Sequence, residues 1–294
     1  MTTPTQPHTP IPPDALALPL TVRLTTPPPY CLALIGCGGT GSWLAEALVA
    51  LALHQRQRQP DSPLVLVFID GDTVEARNVG RQNFYPYEVG RNKAEALASR
   101  YSLLFGLRIH AGTRYLLPAE PGRRVALPAV LRRGPTGPGT LLIGALDDKL
   151  ANGGRQALAQ LVTAYRYWWL DSGNARTAGQ LLLGQATRAE QIDGRGLPLG
   201  MVDTLPAPHI QAPDLLTARE DAAPASCAEV AAAAEQSLLI NRQMAALAAH
   251  LVSQWLSRRL TLAAVETSLD PPVTHHQAVT RRWLSGFMRT ADAS

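Results

Sequence analysis

The feature that most constrains this 294-residue chain is a short apolar run that leads into a cluster of glycines. The run reads CLALIGCGGTG and begins at Cys31, and an amphipathic segment at 42–53 follows it. This order predicts a strand, a tight turn and the start of a helix. The cluster consists of Gly36, Gly38, Gly39 and Gly41. Glycines let a backbone approach an anion closely, and the N–H groups of a first helical turn point at it, so the turn is predicted to bind phosphate.

Apolar runs and amphipathic segments alternate along the chain after this turn. The predicted strands are 30–35, 64–69, 107–111, 140–146, 168–170 and 180–184, and the predicted helices are 42–54, 91–104 and 152–164. The alternation predicts an α/β fold with a Rossmann-like, doubly wound, mostly parallel sheet, to which residues after 261 add antiparallel C-terminal strands. Ligands bind such sheets at the carboxyl ends of the strands. Asp70, Asp72, Asp147 and Asp171 all follow predicted strands.

Charge and cysteine content restrict the classes of function. The net charge is only +4 and the arginines are scattered, so direct nucleic-acid binding is not expected. Three cysteines supply neither a disulfide framework nor the two Cys-x-x-Cys pairs of a structural zinc site. The apolar run at 15–22 is too short for a signal peptide or a membrane span, so we expect a cytoplasmic protein without a membrane partner.

A dense set of polar residues follows the second predicted strand, in VFIDGDTVEARNVGRQNF at 67–84 and in the helix beyond it. A nucleoside triphosphate needs an acid for its ribose hydroxyls, cations for its phosphates and a carboxylate for Mg²⁺. Asp72 offers the acid for the ribose, Arg81 and Lys93 offer the cations for the phosphates, and Asp147 offers the carboxylate for Mg²⁺. A single arginine or lysine is usually a solvated surface charge. The ordered set after a glycine turn favours a nucleotide site instead.

These segments carry a family resemblance. IGCGGTGS, FIDGDTVEARNVGRQNFYPYEVGRNKAEALASR, ALDD, DSGN with GQLLLG, and PASCAEV together resemble the ThiF/MoeB/HesA superfamily of ubiquitin-activating-type adenylating enzymes. More narrowly, the chain is similar to the ThiF-family protein of the PRTRC gene cluster. The resemblance divides the chain into a proline-rich arm at 1–29, an adenylation domain at 30–260 with a long crossover loop at 186–226, and a C-terminal extension at 261–294.

The resemblance implies an activity and partners. It implies ATP- and Mg²⁺-dependent adenylation of the C-terminal carboxylate of a ubiquitin-like or sulfur-carrier protein that ends in glycine, carried out by a homodimer. The N-terminal arginine by which the family reaches its partner's ATP has no clear match here, and Arg23 is a conceivable substitute.

The resemblance also assigns roles by position in the motifs. The residues and their implied roles are Asp72 for the ribose, Asn78, Arg81 and Lys93 for the phosphates, Gln82 as the motif's glutamine, and Asp147 or its neighbour Asp148 for the magnesium ion. Asp70 and the four glycines complete the expected cofactor-binding set. The spacing from Asp147 to Arg155 is longer than the usual family pattern.

Cys227 and the long helix that follows it each have two interpretations. Cys227 aligns with the cysteine that accepts the activated carboxylate in some family members, and a position just before a helix suits a nucleophile, but a buried packing role is an equal alternative. For Cys31 and Cys37 packing is expected. The helix after Cys227 carries an apolar stripe that predicts a core helix or a subunit interface. Its members are Ile240, Met244, Leu247, Leu251 and Trp255.

Two other functions compete with adenylation. A nicotinamide or flavin oxidoreductase would also use the glycine turn and an acid at a strand end. The dinucleotide site of such an oxidoreductase has no role for the Asn-x-x-Arg-Gln segment or for Lys93. A catalytically silent scaffold that binds nucleotide or carrier is the second alternative.

Overall fold

A computed structural model describes most of the chain. The described residues are 17–24, 28–61, 64–120, 122–123, 125–135, 137–146, 153–192, 200–217 and 238–288. The predicted site residues Asp147, Asp148 and Cys227 lie outside these ranges.

The described strands form one large sheet and one small one. The strands are β1 (Thr21–Val22), β2 (Tyr30–Ile35), β3 (Leu64–Ile69), β4 (Ile109–Gly112), β5 (Thr140–Gly144), β6 (Trp168–Asn174), β7 (Ala178–Gly184), β8 (Met201–Val202), β9 (Leu262–Leu269) and β10 (Pro272–Ala278). The large sheet has the order β10-β9-β7-β6-β5-β2-β3-β4, and β1 pairs with β8 separately. Strands β6, β5, β2, β3 and β4 run parallel. Strands β7, β9 and β10 are antiparallel, so the predicted fold class is confirmed.

Helices cover both faces of the parallel strands. They are α1 (Gly39–Arg58), α2 (Lys93–Phe105), α3 (Gly154–Tyr165), the short α4 (Pro208–Gln211), α5 (Leu238–Leu256) and α6 (Arg281–Met288). Alternate residues of β2 enter different cores: Leu32 and Leu34 pack with α1, α2 and α5, whereas Cys31, Ala33 and Ile35 pack with α3. This is expected for a parallel strand buried on both faces. No described helix is long and apolar enough to cross a bilayer.

The apolar stripe of α5 is part of the core. Ile240, Met244, Leu251 and Trp255 are fully buried, and only Leu247 is partly exposed. They pack in the same core as α1 and the central strands. Of the two interpretations of this stripe, the core helix is therefore confirmed.

Three segments between the regular elements contribute to the fold. In the segment 118–139, which is rich in Pro, Gly and Arg, Val125 and Leu131 are buried in the α3-side core. In the proline-rich lead-in, Leu20, Val22 and Leu24 alternate at strand spacing and are buried, so these residues pack against the domain. The crossover at 186–226 contains β8 and α4 within its described parts.

Candidate functional site

The glycine turn joins the end of β2 to the start of α1. Gly36 has a φ of +91°, and a Cβ there would overlap the carbonyl oxygen of Ala145 after β5. A Cβ on Gly41 would overlap the carbonyl oxygen of Gly36. These two glycines are therefore required to close the turn: Gly36 needs both its positive φ and the absence of a Cβ, and Gly41 needs the absence of a Cβ.

The other two glycines have different surroundings. A Cβ on Gly39 would lie 2.9 Å from the Asn241 side-chain nitrogen of α5, so this glycine allows two helices to approach. A Cβ on Gly38, the residue before α1, would meet no atom of the described residues within 4 Å, and Gly38 provides no side-chain cap. The first N–H groups of α1 thus lack a side-chain cap from this residue, and the described residues leave space beside it, as an anion site at a helix N-terminus requires.

Asp70 holds the turn in place. Its carboxylate accepts hydrogen bonds from the backbone N–H of Cys37 at 2.6 Å and from that of Asp72 at 2.8 Å. Asp70 is 9% exposed, and burial raises its pKa despite these hydrogen bonds. Its two oxygens therefore tie the glycine turn to the segment after β3. This geometry fits a positioning role better than the direct cofactor contact expected from the sequence.

Lys93 and Asp72 form an ion pair beside the turn. The Lys93 ammonium lies 3.0 Å from the Asp72 carboxylate, and Lys93 is only 7% exposed. Asn92 caps α2 by accepting a hydrogen bond from the N–H of Glu95. It also donates to the backbone carbonyls of Asp70 and Asp72. The cap therefore fixes Lys93, the first residue of α2, against the acid.

Tyr115 is a member of the site that the sequence did not predict. Its hydroxyl donates a hydrogen bond to the second oxygen of Asp72, and its ring lies against Gly71. Tyr115 follows the end of β4 by three residues, so an aromatic residue just beyond a strand at the ligand edge was the available signal. Burial raises the pKa of Asp72, but the hydrogen bonds from Tyr115 and Lys93 outweigh it and bring that pKa below its ordinary value.

Replacing Tyr115 with phenylalanine is expected to raise the pKa of Asp72. A hydrogen bond to the ionised form of a carboxyl favours ionisation, so its loss moves the titration to higher pH. The carboxyl carbon shift of Asp72, followed by NMR against pH, measures the change. Tyr87→Phe is the control, because Tyr87 is exposed and stacks on Tyr85 instead. An unchanged Asp72 titration in Tyr115→Phe would contradict the hydrogen bond.

The Asn-x-x-Arg-Gln segment is only partly available to a ligand. Asn78 is buried, and its side chain accepts a hydrogen bond from the N–H of Glu75, which caps a short 3₁₀ helix at Ala76–Asn78. Arg81 is half-buried, and no residue in the described ranges hydrogen bonds or pairs with its guanidinium. The side-chain oxygen of Gln82 is buried without a hydrogen-bond partner among those same residues. Arg81 and Gln82 thus retain unused polar groups.

A cavity of about 590 Å³ opens beside Tyr115. Its wall combines Ile69, Ala111 and Val130 with Arg133, at the carboxyl ends of β3 and β4. The polar groups of His110, Arg114 and Tyr115 also line it, and such a mixed wall has both apolar contacts and hydrogen-bonding groups for an aromatic ligand group. A smaller cavity of about 110 Å³, which Arg166 and Gln185 line, contains none of the predicted site residues.

Asp171 pairs in register with Gly144 at the carboxyl end of β5, as predicted, but its carboxylate belongs to a buried ion pair. Strand β6 continues to Asn174, so Asp171 lies within it, where it is 2% exposed and accepts a hydrogen bond from Arg155 at 2.9 Å. Burial raises its pKa, and the nearby guanidinium opposes that shift. Asn174 occupies the strand end instead. Its side chain belongs to a polar network with Thr40 and Asn241.

Three further expectations concern cysteines, metals and Arg23. Cys31 and Cys37 are buried, and burial raises the pKa of both thiols, to about 12 for Cys31. Within the ranges that the structure describes, no group of three or more His, Cys, Asp and Glu side chains could hold a metal ion. Arg23 follows Val22, which forms a bridge with Leu260. The role of Arg23 toward the ATP of a partner subunit stays a prediction.

This geometry defines a class: a Rossmann-like domain with an open glycine turn at the ligand edge of its sheet. Residues 30–117 match the model of the ThiF family, so the resemblance stated above is confirmed over that part of the chain. No curated protein sequence matches the chain.

Solved structures support the same fold. Selenomethionine PaaA is 14% identical with a TM-score of 0.53, and the match covers 85% of this chain and 72% of that one. MccB of E. coli, solved with ATP, is 16% identical with a TM-score of 0.52, and the match covers 86% of this chain and 64% of MccB. The microcin C7 biosynthetic enzyme MccB was also solved with N-formylated MccA, with 16% identity, a TM-score of 0.53, and coverage of 86% and 65%. The chain thus spans less than two thirds of the length of MccB.

Proposed function

We propose that this protein activates a carboxylate by ATP-dependent adenylation. The observation that carries the proposal is the Asp72–Lys93 ion pair. Asp72 accepts a hydrogen bond from Tyr115 at the wall of the cavity, and Asp70 bonds to the backbone of both Asp72 and Cys37 in the glycine turn. A nucleotide seated there would place its phosphates at Gly38 and its base in the cavity. The match of residues 30–117 to the ThiF family and the fold shared with MccB support the same choice.

The residues present fit ATP in charge and in space. Lys93 and Arg81 would neutralise phosphate oxygens, and the N–H groups at Gly38 would hydrogen bond to them. Asp72 would accept from the ribose hydroxyls. Tyr115 holds one Asp72 oxygen and is 46% exposed, so its side chain has room to turn away. Asp147 or Asp148 would hold Mg²⁺, a role carried by the family resemblance alone.

ATP supplies an electrophilic α-phosphorus. A carboxylate oxygen forms a bond to that phosphorus, the bond to the bridging oxygen breaks, and pyrophosphate leaves with the electron pair. The contribution of the chain is positioning and charge neutralisation, which account for most of the acceleration in such steps. Lys93 is suited to this, because a buried ammonium acts more strongly than a hydrated one.

We further propose that the carboxylate belongs to a ubiquitin-like or sulfur-carrier protein that ends in glycine, and that the enzyme is a cytoplasmic homodimer. The structure of MccB with N-formylated MccA supports a polypeptide partner in this fold. Transfer of the activated group to Cys227 and the narrower PRTRC relationship stay predictions.

Isotope exchange tests the reaction. The purified chain is incubated with ATP, Mg²⁺, labelled pyrophosphate and a candidate carrier, a small ubiquitin-like protein that ends in glycine. We expect label to enter ATP only when the C-terminal carboxylate of that protein is present. The same protein with an amidated C-terminus is the control, because the nucleophile is then absent. Binding of NAD in place of ATP, or exchange that ignores the carboxylate, would contradict the proposal.

A further inference from the structure

Both oxygens of the Asp72 carboxylate have a partner within the chain. Lys93 lies 3.0 Å from one of them, and the Tyr115 hydroxyl donates a hydrogen bond to the other. Lys93 is 7% exposed and is fixed as the first residue of α2, whereas Tyr115 is 46% exposed and belongs to no helix or strand. Of the two partners, Tyr115 is therefore the one that a ligand could replace.

Tyr115 connects Asp72 with the cavity of about 590 Å³. Its ring lies against Gly71, where a Cβ would be 2.6 Å from two of the ring carbons. Among the described residues, Tyr115 alone both hydrogen bonds to Asp72 and lines that cavity. A ribose that contacts Asp72 while its base lies in the cavity would therefore need the space that the Tyr115 side chain takes.

The backbone on both sides of Tyr115 is anchored. Strand β4 ends three residues before it, at Gly112. Leu116, the next residue, is buried in the α3-side core. The Gln160 side chain of α3 hydrogen bonds to both backbone groups of Ala119. The Tyr115 ring can thus turn away from Asp72 by rotation about its own side-chain bonds, a fast motion for an exposed residue, without movement of the backbone.

We propose that Tyr115 competes with ribose for Asp72: its hydroxyl holds the carboxylate oxygen to which a ribose hydroxyl would donate, and its side chain turns away when a nucleoside binds. The identification of the ligand rests on the proposed function. The competition lowers the affinity, because only molecules in which Tyr115 is turned away can bind the nucleoside. A hydrogen bond to a charged acceptor favours the arrangement in which Tyr115 holds Asp72.

The test compares the full wild-type chain with Tyr115→Phe by calorimetric titration with ATP, adenosine and inorganic pyrophosphate. The variant keeps the ring and loses the hydroxyl, so ATP and adenosine should bind about 3- to 10-fold more tightly, the effect of one hydrogen bond in a partly exposed site. Pyrophosphate should stay within about twofold, because it has no ribose. Tyr87→Phe is the matched control, since Tyr87 is exposed and stacks on Tyr85, and should leave all three affinities unchanged.

Gly71→Ala tests the same contact from the other side. Gly71 does not have a left-handed φ, so alanine fits its backbone, but the added methyl group would overlap the Tyr115 ring and displace it. We expect tighter adenosine binding than in the wild type. In a Tyr115→Ala background there is no ring to displace, and the same change should have no effect. An equal effect in both backgrounds would contradict the proposal.

The displacement can be followed directly by ¹⁹F NMR of protein labelled with 3-fluorotyrosine. The chain has seven tyrosines, and the signal that is missing from Tyr115→Phe belongs to Tyr115. Adenosine should shift this signal, whereas pyrophosphate should not. A Tyr115 signal that stays in place while adenosine binds would show that the side chain does not move.

The outcomes separate the two proposals. Wild-type protein that binds ATP, with Tyr115→Phe binding it equally or more weakly, overturns the Tyr115 proposal alone. Equal tightening of adenosine and pyrophosphate also overturns it. Adenosine binding that Tyr115→Phe tightens, in a protein without isotope exchange, overturns the proposed function and keeps the competition. Binding of neither ATP nor adenosine by either protein overturns both.

Discussion

Replacing Lys93 with alanine is expected to slow adenylate formation by about 10²- to 10³-fold, the usual cost of removing one preorganised charged donor. The Lys93 ammonium is 7% exposed and lies 3.0 Å from Asp72. Screening by water is weak at such a site, so its charge acts strongly on the phosphates. The loss should appear in the isotope exchange rate and in the affinity for ATP.

Two control variants sharpen this result. Arg77→Ala removes the same charge from the neighbouring segment, but the Arg77 side chain is 76% exposed and, among the described residues, forms an ion pair with Glu75 alone. Exchange should stay within about twofold of the wild type, since surface ion pairs contribute little. Lys93→Arg keeps the charge and should recover part of the activity. Exchange by Lys93→Ala within a few-fold of the wild type, in a protein that unfolds normally, would remove Lys93 from the site.

Replacing Arg155 with methionine is expected to lower the free energy of unfolding by about 3–5 kcal/mol, the usual cost of removing one partner of a buried ion pair. Asp171 is 2% exposed and accepts from Arg155 at 2.9 Å. Without the guanidinium, the carboxylate would be buried beside a neutral side chain. Denaturant unfolding at pH 7 measures the loss.

The double variant Arg155→Met with Asp171→Leu should recover most of that stability, because both charges are then gone. The stability gap between Arg155→Met and the wild type should also narrow as the pH falls. Loss of Arg155 raises the folded pKa of Asp171 further above its unfolded value, so the folded variant takes up a proton and gains stability toward low pH. Arg123→Ala, in an exposed pair with Glu120, should cost less than about 1 kcal/mol. A comparable loss there would contradict the burial argument.

Much of the framework could be predicted from local pattern. The aliphatic runs at Tyr30–Ile35 and Leu64–Ile69 are strands with the predicted bounds, and Gly36 and Gly41 form the expected turn. Lys93 and Asp72 are close together at the predicted edge. These predictions succeed because strand periodicity, and the glycines that a positive φ or a close backbone contact requires, can be recognised from a few residues close in sequence.

Other features needed contacts between distant parts of the chain. Tyr115 meets Asp72 across 43 residues, and Asn241 meets Thr40 across 201. The sequence placed Asp171 at the site, yet its neighbour in space, Arg155, makes it a structural ion pair. A ligand-binding acid and a member of a structural ion pair show the same local pattern, a carboxylate after an apolar run. Only the partner of the carboxylate in the folded protein distinguishes the two roles.

The sequence by itself determined a Rossmann-like sheet, a glycine turn and the ordered polar set that follows it. The tertiary structure decided which glycines the backbone requires and which one has space beside it among the described residues. The tertiary structure also shows that Asp70 positions the glycine turn and that Asn241 of α5 contacts this turn. The physical reason is the sequence separation of the interacting residues. Backbone conformation and hydrophobic periodicity depend on residues a few positions apart, whereas the partner of a buried polar atom depends on how elements distant in sequence pack together.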